Sequence, residues 1–263
     1  MNPPMLEIVC YYADLGRDYL PLFEKMINSA RRTNPWAKIT CMTPTPDKVG
    51  KRWDLVIDTG QFPAGSQNLI LEKVRAIVSL GKTTDHHIVV ADPDIEFIKP
   101  ISFRNIADVG LLWRGKKPDQ PINAGLIYIT PGHPKFWEHY GEVAVNLPKE
   151  VHSWWCDQLA FALLTGVNHQ PWETIEIDDA RVTLLDGDVV CPKPENRQQH
   201  SWALHYKGAL KGPGWEKVFR TKSRDGTSSP DWRSSTAMPR ELNSASPPAE
   251  PPSISALSSP NSI

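Results

Sequence analysis

Little cysteine, no long apolar run and no surplus of either charge characterise this sequence of 263 residues, and each shortage excludes something. The four cysteines, at positions 10, 41, 156 and 191, have no short paired spacing. Neither a zinc knuckle nor a disulfide framework is therefore expected, and the pattern reads as four reduced thiols of a cytoplasmic protein. Their expected role is that of small core hydrophobes. No apolar run approaches the ~20 residues needed to cross a bilayer, so no transmembrane segment is expected. The opening Met1-Asn2-Pro3-Pro4 lacks the basic start and apolar stretch of a secretory leader. With 29 Lys+Arg against 30 Asp+Glu, a net charge of −1, there is no electrostatic reason to expect nucleic acid or an anionic membrane as partner.

Tryptophan is the one abundance, at ten residues. Composition alone leaves core packing and sugar-stacking platforms both open. Residues 221–263 hold 12 Ser and 7 Pro and almost no apolar periodicity, a segment that cannot bury enough surface to offset its ordering entropy. The expectation is a folded domain over 1–220 followed by a disordered tail. Within the domain short apolar runs alternate with helical patterns. Strands are expected at Leu6–Tyr11, Lys38–Met42, Asp54–Ile57, His87–Ala91, Val109–Trp113 and Ile122–Thr130. Helices are expected around Leu22–Ala30, over 68–80 with Gly81 as the stop, and over 132–145 and 153–165. This alternation predicts an α/β fold, a mostly parallel twisted sheet with helices on both faces. Ligands then bind at the carboxyl ends of the strands.

The β-branched run His87–Ala91 leads straight into Asp92-Pro93-Asp94. In an extended chain residues i and i+2 point the same way, so both carboxylates can face one cation. Hard oxygen ligands suit Mg²⁺ or Mn²⁺, although Asp and Pro are also ordinary turn residues. Near the end of the domain stands His205-Tyr206-Lys207-Gly208-Ala209-Leu210-Lys211-Gly212-Pro213-Gly214-Trp215. A neutral imidazole is an acceptable third ligand for Mn²⁺. Gly208 permits close backbone approach, and Lys211 offers a point charge to a phosphate. Asn123-Ala124-Gly125 can admit a polar ligand beside an amide, or form a β-bulge. Asp157-Gln158 opens an apolar helix, where the helix dipole also favours an acid.

In this order, D-x-D, N-A-G, D-Q and then H-x-x-G-x-x-K-x-x-G-W, the chain resembles the glycogenin and lipopolysaccharide galactosyltransferase group of retaining glycosyltransferases, over about Leu6 to Trp215. The resemblance implies a GT-A fold and transfer of a hexose from a nucleotide diphosphate sugar, UDP-hexose by the habit of the group, to an acceptor it does not identify. Asp92 and Asp94 would then bind Mn²⁺ (or Mg²⁺), with Asp92 also near the ribose, and His205 would complete the metal site. Gly208 and Lys211 would meet the diphosphate. Asn123, Ala124 and Gly125 would line the donor-sugar pocket, Asp157 and Gln158 would flank the reacting sugar as catalytic residues, and Arg75 would stand near the donor. Ala13 and Asp14 would hold the nucleobase. The chain departs from the group at Pro93, where a small or aliphatic residue is usual, and in the closing Lys211-Gly212-Pro213-Gly214-Trp215. Acceptor choice is assigned to residues 168–200, which carry no readable signature. Two rival readings stay open. One is a phosphatase of the haloacid dehalogenase kind, with Asp178-Asp179 as its downstream acidic pair. The other is a non-catalytic nucleotide-sugar binding module. His86 and His87 fall at the far end of the metal strand and read as a surface pair.

Overall fold

Alternation of extended and helical segments runs through the whole computed structural model, which describes residues 5–13, 20–50, 53–60, 68–115, 120–152, 155–166 and 168–206. In chain order these are β1 (Leu6–Tyr11), α1 (Leu20–Thr33), β2 (Lys38–Thr43), β3 (Leu55–Asp58), α2 (Leu69–Thr83), β4 (His87–Ala91) and β5 (Ile95–Phe97). There follow β6 (Val109–Trp113), β7 (Ile122–Ile129), α3 (Pro134–Asn146), α4 (Cys156–Thr165), β8 (Thr174–Ile177), β9 (Ala180–Asp186), α5 (Gly187–Val190) and β10 (Ala203–His205). The expected end of the domain near 220 and the tail over 221–263 lie outside the described residues.

Eight strands form one mixed sheet in the order β3-β2-β1-β4-β7-β6-β9-β8, and β5 pairs with β10 in a second, two-stranded sheet. Strands β7 and β8 run against the other six of the large sheet. The fold is α/β, with a large, mostly parallel sheet. Its central strands are buried on both faces because their side chains alternate between two cores. Ile88 and Val90 of β4 face a core shared with α2, α3 and α4, while Val89 and Ala91 face the core of α1 and the small sheet. On α1 the stripe Phe23, Met26, Ile27 and Ala30 is buried, as its spacing predicts.

Three stretches of the chain, taken in turn, differ from their sequence-based expectation. Helix α2 does not stop at Gly81 but runs on to Thr83. A Cβ at Gly81 would lie 2.3 Å from the Trp137 ring, so this glycine lets the α3 indole pack on the α2 backbone. Residues 168–200 are not open loop. They contain the β8–β9 hairpin and α5, whose edge strand β8 is half exposed. The strands β5 and β10 are three residues each, too short to show a periodicity.

All four cysteines are free and buried, and burial pushes the Cys41 and Cys156 thiols up to about 12. Trp113 and Trp137 are fully buried, whereas Trp36 and Trp172 are exposed. No described helix is long and apolar enough to cross a membrane.

Candidate functional site

The carboxyl end of β4 is where the polar groups gather. Asp92 follows the strand, and Ile95 N donates to Asp92 O at 3.1 Å. Asp92-Pro93-Asp94-Ile95 is thus a β-turn with proline in its favoured second position. This corrects the extended geometry expected for the two aspartates: it is the turn that brings them to one side. Proline 93 fixes the turn without removing a ladder hydrogen bond.

From the turn the chain enters β5, which pairs with β10 in antiparallel register, His205 opposite Ile95. Tyr206 N donates to Asp94 O at 2.9 Å and His205 N to Pro192 O at 2.9 Å. This pairing sets the buried His205 side chain against Asp94, Nε2 to Oδ1 at 3.2 Å. One ligand atom from each of Asp92, Asp94 and His205 lies within 4.8 Å of the others. Two carboxylates and an imidazole on that scale suit a single divalent cation.

The Asn123-Ala124-Gly125 segment is both of the things its sequence allowed. Consecutive residues Leu111 and Leu112 of β6 pair with Ile127 and Asn123 of β7, so Ala124, Gly125 and Leu126 form a bulge in β7. The bulge turns three groups toward the site. Asn123 Nδ2 lies 3.0 Å from His205 Nδ1, and Asn123 Oδ1 accepts from Gly125 N at 3.1 Å. Gly125 O accepts from Asp92 N at 2.8 Å. Ala124 O accepts from Lys73 Nζ at 3.2 Å. A Cβ on Gly125 would stand 3.0 Å from His205 Cε1 and 3.1 Å from Asp92 Oδ2. The missing side chain leaves the space that the three ligands share.

Lys73, on α2, is the site residue that the sequence reading missed. Its ammonium is buried between Asp92 Oδ1 at 2.8 Å and Asp157 Oδ2 at 3.0 Å. Burial by itself would lower its proton affinity, but the two carboxylates outweigh burial and hold it above the ordinary lysine value. The available signal was its position: Lys73 interrupts the apolar stripe Ile70, Val74 and Ile77 on the face that packs inward.

Asp157, in the first turn of α4, also accepts from Gln158 N at 2.8 Å. Gln158 Oε1 is buried and has no hydrogen-bond partner among the described residues. The helix therefore presents a carboxylate already tied to Lys73 and an amide oxygen still able to accept.

Other expected site residues are not gathered here. Arg75 is two residues from Lys73, about 200° around the helix. It is exposed, pairs with Glu72, and borders a groove with Val78 and Glu142 of α2 and α3; the basic residue of α2 that reaches Asp92 is Lys73. Ala13 stands just beyond the carboxyl end of β1, half-buried, on the same edge of the sheet as Asp92. Asp14, Gly208 and Lys211 lie outside the described residues.

Asp178 and Asp179 are at the opposite end of the sheet, in the β8–β9 turn. Asp179 accepts from Lys135 N and Phe136 N at the start of α3, and Asp178 pairs with His139 at 2.9 Å. They do not face Asp92. His86 and His87 are also at that far end, but His86 is only half exposed and is bracketed by Glu7 and Asp85, 2.7 Å from each.

No protein-family model matches this chain, and no curated protein matches it.

Proposed function

We propose that the chain is a metal-dependent glycosyltransferase of GT-A type, moving a hexose from a nucleotide diphosphate sugar, UDP-hexose, to an acceptor with retention of configuration. The observation that carries this reading is the convergence of Asp92, Asp94 and His205 within 4.8 Å at the carboxyl end of a central strand, beside a buried Lys73–Asp157 pair. The resemblance of the chain to the glycogenin group supplies the reaction class.

The donor set and the side-chain-free space at Gly125 fit Mn²⁺ or Mg²⁺. When bound, such an ion would supply positive charge to the departing diphosphate. Asp92, Asp94 and His205 would hold it. Asn123 orients the imidazole, as partners of metal-ligating histidines do. Lys73 keeps Asp92 and Asp157 in place at short range and prevents the half-buried and the buried carboxylate from repelling one another. The Gln158 Oε1 acceptor and the Asp157 carboxylate offer electron-rich oxygens to a sugar ring that becomes positive as its bond to phosphate breaks. Among the described residues the carboxylates of this cluster are engaged by Lys73 or His205, so on this reading the work of the site is positioning and electrostatics.

Calorimetry of the full chain with UDP-glucose tests the reading. Binding is expected only with Mn²⁺ or Mg²⁺, lost in Asp92→Ala and Asp94→Ala, with slow release of UDP. Metal-independent binding, or none, overturns it. Phosphate released from simple phosphate esters would favour the phosphatase instead.

A further inference from the structure

Arg114 follows β6 at its carboxyl end, the edge of the sheet that carries Asp92. Its side chain is half-buried, with Cγ 3.6 Å from where a Cβ on Gly187 would lie. Cys191, Asp188, Asp92 and Asp94 are near enough to act on its charge. Among the described residues none of them is within hydrogen-bond distance of the guanidinium, and its only hydrogen bond is through the backbone, Arg114 N to Pro121 O at 2.6 Å.

Elsewhere in the molecule the arginines near carboxylates are paired. Arg181 grips Asp108 with two nitrogens at 3.0 Å, Arg31 binds Asp54 at 2.9 Å, and Arg75 binds Glu72. Those pairs are at the exposed surface, where water would satisfy the guanidinium anyway. Arg114 is in the opposite situation. It is desolvated enough that burial outweighs the attraction of the surrounding acids and lowers its proton affinity. A guanidinium that has lost part of its water and gained no hydrogen-bonded counter-ion is a cost to the fold, and that cost is relieved when an anion arrives.

Position says which part of a ligand brings the anion. The metal ligands flank β4, and Arg114 leaves β6, two strands away in the order β4-β7-β6. Strands lie about 4.8 Å apart, so the two chain positions are on the order of 10 Å from one another. A diphosphate held at Asp92 and Asp94 is on the near side of that span, and the sugar to be transferred would occupy much of the rest.

We infer that Arg114 binds an acidic group, carboxylate or phosphate, on the acceptor, so that the transferase reading, on which this rests, becomes one of transfer to an acid-bearing acceptor. The planar fork of the guanidinium suits either oxyanion through two parallel hydrogen bonds.

The test uses the full chain loaded with UDP and Mn²⁺, so that the donor phosphate positions are filled, and the same chain in EDTA. Inorganic phosphate, glucuronate and, as the neutral match, glucose are titrated by calorimetry and thermal shift into the wild type, Arg114→Gln and Arg114→Lys. Phosphate and glucuronate should bind the loaded wild type and glucose should not. Charge-assisted bonds of this kind carry about 1.5–3 kcal/mol, so Arg114→Gln should bind the acids about 10- to 100-fold more weakly. Arg114→Lys should fall between, keeping charge without the fork. Equal acid binding by wild type and Arg114→Gln overturns the inference. So does phosphate binding that appears in EDTA and vanishes on loading with UDP and Mn²⁺, because the arginine would then serve the donor. If UDP and Mn²⁺ fail to bind at all, the transferase reading fails, and the EDTA titrations still decide whether Arg114 is an anion site.

Discussion

At the scale of single residues, the buried ammonium of Lys73 is the clearest liability and the clearest test. Replacing it with methionine leaves the buried Asp157 carboxylate facing Asp92 with no cation between them. Removing one partner of a buried ionic cluster costs about 3–5 kcal/mol, so Lys73→Met should show a much lower denaturation midpoint. Adding Asp157→Asn should recover part of that loss, because the two substitutions act on one network; strict additivity would contradict the arrangement. Gly125→Ala is the complementary case. Its methyl group would meet His205 and Asp92 at 3.0 and 3.1 Å, so Mn²⁺ affinity should fall at least several-fold while the melting temperature moves little. Titration of Mn²⁺ by its paramagnetic signal reads this directly. The contrast also explains what a sequence can reveal at this scale. Asp92, Asp94 and His205 were legible through the order and spacing of D-x-D and H-x-x-G-x-x-K, although an aspartate beside a proline is by itself an ordinary turn residue. Lys73 was not, because a single lysine on an amphipathic helix usually runs its stem along the core and carries its charge out to water. Only the three-dimensional neighbours, Asp92, Asp157 and the Ala124 carbonyl, show that it does not.

At the scale of elements, the site depends on a strand of three residues. Strand β10 carries His205, and its hold on β5 continues into a polar clasp. Tyr206 Oη donates to Glu96 Oε2 at 2.5 Å, Lys25 of α1 reaches the same carboxylate at 3.1 Å, and its ammonium sits 3.6 Å from the centre of the Tyr206 ring. Burial would raise the Glu96 carboxyl, but the Tyr206 hydroxyl and Lys25 outweigh it and hold it below the usual range. Tyr206→Phe removes the hydroxyl and keeps the ring. It should lower stability by about 1 kcal/mol and weaken Mn²⁺ binding as His205 gains freedom. A stability loss with unchanged Mn²⁺ affinity would show that the clasp does not position the ligand. Strands this short carry no readable pattern, which is why β5 and β10 escaped the sequence reading although His205 itself did not. Gly81 escaped for another reason: a glycine after a periodic run normally signals a helix end, and only the Trp137 ring, on a different helix, explains this one. Direction was more legible than the mostly parallel expectation used. Eight residues, 114–121, separate β6 from β7, too few for the crossover that a parallel pair requires.

At the scale of the whole molecule, the two faces of the sheet were readable from alternation, because strands such as His87–Ala91 must fill a core on each side. The two ends of the sheet were not, and they turn out to do different work: one gathers the candidate metal ligands, the other gathers structural charge. Glu7, buried at the start of β1, accepts from Thr40 Oγ1, pairs with Lys38 at 3.2 Å and lies 2.7 Å from His86. Burial pushes its carboxyl up, but Thr40, His86 and Lys38 together outweigh burial and hold it below the ordinary glutamate value of 4.5. Asp108 and Asp179, at the same end, are likewise held low, Asp108 chiefly by Arg181 and Asp179 by the amides of Phe136 and Lys135, which outweigh its burial. A group whose native value is depressed binds its proton less readily when folded than when unfolded. Its stabilisation is complete above the unfolded value and is lost as pH falls through the native one. Stability should therefore decline as pH drops below about 4.5, which urea midpoints measured from pH 3 to 6 will register. Glu7→Gln cannot titrate, so its midpoint should start lower near neutrality and change less steeply with acid. A variant curve parallel to that of the wild type would remove Glu7 from the account and leave the slope to the aspartates.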